Sequence, residues 1–183
     1  MQELTDKALY LALEYAKSQD EQAGRTILES FQRDQPALAH TIFGVFPAMI
    51  AEREQALAHV FMDLCFDVIC VFQHAFGNLP PQHTMGFDWL AKSAAQLEPE
   101  LHAMMSGNDM NPKWRDKLSQ RFSDRMIASQ AQTGLVDFLH AAIDQCVSQQ
   151  RLNDDGVAMS KSMIFVVVQL FASMYAHAQP QPC

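Results

Sequence analysis

The chain is poor in the residues that build sheets, cradle phosphates and staple small folds. There is no sustained period-two alternation, and no Asn-Gly or Asp-Gly turn between β-rich runs, so a sheet has no visible source. Val166, Val167 and Val168 form the one β-branched cluster, and their flanks of Met, Ala, Leu and Gln favour helix. The 7 glycines never gather into a phosphate-binding loop. The 4 cysteines include no Cys-x-x-Cys pair of the kind used for zinc or redox work. Cys65 and Cys70 are also about 140° apart on a helix, too far round to bridge. Free buried thiols in a reducing compartment are the simple expectation.

Positive charge is scarce as well. Lys and Arg number 13 against 21 Asp and Glu, a formal net charge of −8. The one basic concentration, Lys113 to Arg125, is diluted by Asp116 and Asp124. Neutralising phosphates needs a clustered basic face, so no nucleic acid is expected as a partner. Glu3 and Asp6 stand where a secretory leader would carry positive charge, and no long apolar run follows. The run from Met163 to Ala176 holds about fourteen mostly apolar residues, short of the roughly 20 that cross a bilayer. The expectation is a cytoplasmic protein with no membrane partner.

What the chain does contain is enough for a core. With 183 residues, 49% of them hydrophobic and 19% charged, it suits one domain, expected over residues 1–178, with the tail 179–183 disordered. The fold class read from these patterns is all-α: a single-domain helical bundle of about seven to eight helices.

Leu4, Ala8, Leu11, Ala12 and Tyr15 lie at three- and four-residue steps and predict a first helix near 3–18. Asp20 opens a second helix near 21–32, with Ile27, Leu28 and Phe31 inward, and Asp34 is expected to cap a third at Pro36. A long helix is predicted near 47–76, starting at Pro47 and stopped by Gly77, Asn78 and the prolines after them. Further helices are predicted near 87–105 and 112–126. Another is expected from about Leu135 to Gln149, with Thr133 a possible cap. The last, apolar almost all round, is predicted near 157–177, at the core or in an oligomer interface.

Chemistry gathers on the long helix. His59, Asp63, Asp67, Cys70 and His74 fall within about 80° of one face, and Glu52 lies at nearly the same helical angle. One helix cannot surround an ion, so a metal site needs a second contributor. The segment carrying Asp137, His140 and Asp144 is the candidate. Against a metal or catalytic site, the paired Glu-x-x-His motifs of di-iron bundles are missing, as are His-Glu-x-x-His and the Gly-x-Ser-x-Gly elbow. Buried, the two aspartates would need pairing or protonation, with Arg53, Arg121, Arg125, Lys161 or the two histidines as candidate partners. The 11 methionines suit adaptable core packing or a groove for an apolar partner.

These features predict a non-enzymatic bundle acting through protein–protein contact as an adaptor, chaperone-like or regulatory partner, with a protein partner or self-association and no cofactor. No catalytic residue is nominated. The alternative is a small-ligand or metal-binding bundle, including an enzyme of unfamiliar type, with His59, Asp63, Asp67 and His74 as its binding residues and the identity of any metal unknown.

Overall fold

Side-chain oxygens start the first two helices. Thr5 accepts from the Ala8 N–H at 3.3 Å and opens α1 (Asp6–Lys17), whose acidic first turn and basic last turn suit the helix dipole. Asp20 accepts from the Ala23 N–H at 2.8 Å and opens α2 (Glu21–Asp34), as its sequence position implies. These elements belong to a computed structural model that describes residues 2–85, 132–149 and 154–178. The helices expected near 87–105 and 112–126, the basic segment 113–125 and the tail 179–183 lie outside the described residues.

After α2 come α3 (Pro36–His40), a π-helical turn (Thr41–Val45), α4 (Phe46–Ala51), α5 (Gln55–Phe76), the short α6 (Gln82–Met85), α7 (Thr133–Gln149) and α8 (Asp154–Ala178). The fold is all-α, with no strand among the described residues. Ala12, Leu13 and Ala16 are the buried face of α1, whereas Leu11 is 47% exposed, so this helix is turned from the predicted face. At the centre α5 and α8 share a ring cluster: Phe72 lies 5.3 Å from Phe171 and 5.6 Å from Tyr175, and Phe31 of α2 closes on Phe171 at 5.7 Å. The Tyr175 hydroxyl donates to the Gly77 carbonyl at 2.8 Å, which satisfies the polar end of a buried ring.

Three expectations need correction. The helix predicted near 47–76 is two helices, because the chain breaks at Glu52–Glu54, where Glu54 is extended (φ −155°, ψ 102°). Here α8 comes close: a Cβ on Gly156 would lie 3.0 Å from the Glu54 Cβ. Pro47 neither begins the long helix nor ends the previous one: the chain stays helical from Pro36 to Ala51, and the π turn directly before Pro47 accommodates its ring and missing N–H. Asp34 does not cap α3 either. It is the last residue of α2, engaged by the Arg33 guanidinium and the Ser30 hydroxyl, and Gln35 takes the cap position.

Two buried glutamines hold the ends of the fold. Gln35, 1% exposed, donates its amide to the Pro80 carbonyl and approaches the Met85 sulfur at 3.5 Å. Gln132, also 1% exposed and at φ 46°, accepts from the Leu4 N–H at 2.9 Å and donates to the Gln2 carbonyl at 3.0 Å. Thr133 is the first residue of α7, and its hydroxyl donates to the Glu3 carboxylate.

The last helix outruns the fourteen-residue apolar stretch that suggested a core helix. By length and composition alone, α5 (22 residues) and α8 (25 residues) could each cross a bilayer, and 56% and 61% of their apolar windows are buried within the fold.

Candidate functional site

The outer face of α2 and one edge of α5 stand apart and leave an open groove of about 770 Å³ between them. Its apolar lining is Leu28 from α2, Met62 and Phe66 from α5, and Phe43 from the π turn. Phe43 is half-buried and meets Phe31 edge-on at 6.2 Å, so the core holds its ring in place at the groove. At Gly24 of α2 a Cβ would lie 3.5 Å from the tip of Phe66 of α5.

The charged lining is one-sided. Asp20, Glu21, Glu29, Asp63 and Asp67 contribute carboxylates, and Arg25 is the one cation among the lining residues. Arg25 is occupied by Glu21 at 3.2 Å, and Asp20 is occupied in capping α2. Glu29 and Asp63 are exposed and enter no hydrogen bond or ion pair among the described residues, whereas the half-buried Asp67 has the Lys17 ammonium within electrostatic reach.

Of the four residues nominated from sequence, the structure brings two to this groove. Asp63 is exposed on its rim and Asp67, one turn on, is half-buried in its wall. Burial lifts the Asp67 carboxyl to about 6, the Lys17 ammonium at the end of α1 opposing that rise and the Asp63 carboxylate adding to it. Lys17, which the sequence did not single out, is thus the cation near Asp67 among the described residues, and the expected partners Arg121 and Arg125 lie outside them. It also reaches over the Phe138 ring, 5.6 Å from its centre. His59 and His74 are exposed and do not line the groove; His74 instead stacks on Tyr15 of α1, ring centres 4.8 Å apart. Cys70 is fully buried, its thiol pushed up to about 12 by burial and then by Asp67, which leaves it protonated and inert. Glu52 sits in the turn before α5 and so leaves the stripe.

The second contributor to a metal site is turned elsewhere. His140 donates its Nε2–H to the Lys161 carbonyl at 3.0 Å, and Asp144 pairs with the Lys161 ammonium at 2.6 Å, so both serve the contact between α7 and α8. Desolvation lowers the His140 pKa, which keeps the ring neutral in that bond. Among the described residues, no three His, Cys, Asp or Glu side chains converge to hold a metal ion. The α2 face of the groove escaped the sequence reading, because Glu21, Arg25, Glu29 and Gln32 pattern like an ordinary solvated face.

No family model, curated protein or solved structure matches this chain. Function therefore has to be argued from the groove.

Proposed function

We propose that the protein is a non-enzymatic binding module of the cytoplasm, acting as an adaptor, chaperone-like or regulatory partner through protein–protein contact, with the groove between α2 and α5 as its contact surface. One observation carries this reading. Leu28, Phe43, Met62 and Phe66 form an apolar strip along a groove open to solvent and edged by charge, the combination of apolar centre and polar rim that interfaces use. Met62 and the two phenyl rings can adapt to a partner's shape. Burial lifts the Asp67 carboxyl to about 6, and the thiol it acts on, Cys70, is buried and held protonated, so that pair offers no ready nucleophile.

Photocrosslinking tests the surface. A photoreactive residue at Gln32, in the groove, should give a discrete adduct in cells, and one at Lys7, on the exposed side of α1, should not. Equal labelling from both positions, or none from Gln32, overturns the reading. The alternative, a small-ligand site, draws on the cavity volume, which lies within the usual range of about 300–1,000 Å³ for such sites. It predicts that small molecules extracted from the purified protein compete with the Gln32 adduct. Its metal version predicts stoichiometric metal on elemental analysis.

A further inference from the structure

Resting on that reading, we infer that the groove takes a basic amphipathic helix of a partner protein. Three features of the site lead to this occupant. First, the lining carries five carboxylates and one guanidinium, and that guanidinium is already paired, so the exposed charge left on the rim, at Glu29 and Asp63, is negative. Second, the α2 side of the groove runs from Glu21 to Gln32, three turns or roughly 17 Å at about 1.5 Å per residue. A third helix laid between two others packs its ridge into such a groove, and anchors at i, i+3 or i+4, and i+7 would meet Phe43, Leu28, Phe66 and Met62. Third, the whole chain carries a formal charge of −8, so a second copy would bring like charge to an acidic rim. Lysines and arginines on both flanks of an apolar stripe complement the rim on α2 through Glu29 and on α5 through Asp63.

The test uses a fluorescein-labelled synthetic helix of 14 residues with leucines at i, i+3, i+7 and i+10 and lysines on both flanks. Its controls are the same stripe flanked by glutamates and a scrambled lysine–leucine sequence of equal charge. Fluorescence anisotropy with the full-length protein should show micromolar binding of the first peptide and binding at least tenfold weaker for each control. The double variant Glu29→Lys, Asp63→Lys should lose at least tenfold in affinity. Both sites are exposed, and circular dichroism of the variant should match the parent, which confirms that the loss is one of binding. Affinity should also fall as salt rises. Equal binding of the lysine- and glutamate-flanked peptides, or unchanged affinity in the double variant, overturns the inference. So does comparable binding of the scrambled peptide, which reports charge alone. If the peptide fails while the Gln32 adduct persists, the groove is a contact surface for a different occupant; if both fail, the contact-surface reading itself falls.

Discussion

Asp67 is a half-buried carboxylate whose desolvation the Lys17 ammonium only partly offsets. Its carboxyl is held near 6 by burial, against about 3.9 in an unfolded chain, so the folded state binds the proton more tightly. Stability from this group is therefore full at acid pH, falls as pH rises from about 4 to about 6, and stays low above that. The charges set around it are Lys17 from α1, Asp63 on its own helix, and Asp20, Glu21 and Glu29 across the groove. Asp67→Asn removes the buried charge. It should match the parent near pH 4 and exceed it at pH 7.5 by on the order of 1 kcal/mol, discounted for partial exposure, or about 2–4 °C in melting temperature. Thermal denaturation at both pH values checks this, and a difference independent of pH would contradict it. The two aspartates were legible from sequence as a helical stripe. Their separation from His59 and His74 was not, because periodicity gives a shared helix face without saying that α1 covers one end of it and leaves the other open.

At the level of elements, helix starts were more legible than helix breaks. Asp20 announces α2 because an aspartate that caps does so through its own local hydrogen bond. The break at Glu52–Glu54 left no such mark, since glutamate and arginine favour helix and the turn coincides with the close approach of Gly156. The π turn had one indirect mark, Pro47 directly after it, whose ring and missing N–H a straight helix would refuse. Gly24 offers a test of the α2 wall. A methyl there meets Phe66 at an ordinary 3.5 Å, so Gly24→Ala should gain the helix-propensity advantage without a clash. The expected outcome is about 0.5–1 kcal/mol of added stability in urea unfolding. A loss would mean that the Phe66 ring packs on Gly24 more tightly than this 3.5 Å contact allows.

For the whole molecule, the all-α class and the central place of the last helix followed from composition and from apolarity around its whole circumference. That apolarity now has a physical account in the rings that α8 shares with α5 and α2. Phe171 touches Phe31 and Phe72 and is fully buried, so Phe171→Ala should cost about 3–5 kcal/mol, a large part of the roughly 5–15 kcal/mol available to a domain. A fall in the urea midpoint with an unchanged slope would show loss of packing in an intact fold. Topology beyond this was closed to the sequence, because helix faces say that a side is buried and not which neighbour buries it.

The amide of Gln132 fastens to backbone at Gln2 and Leu4, near the opposite end of the chain order. During synthesis at roughly 5–20 residues per second, α1 waits on the order of ten seconds before that clasp leaves the ribosome. Until then the N-terminal segment lacks that anchor. The nascent chain thus passes through an interval in which the face of α1 that later meets α7 is open to chaperones, an interval that ends when residues 132–149 emerge.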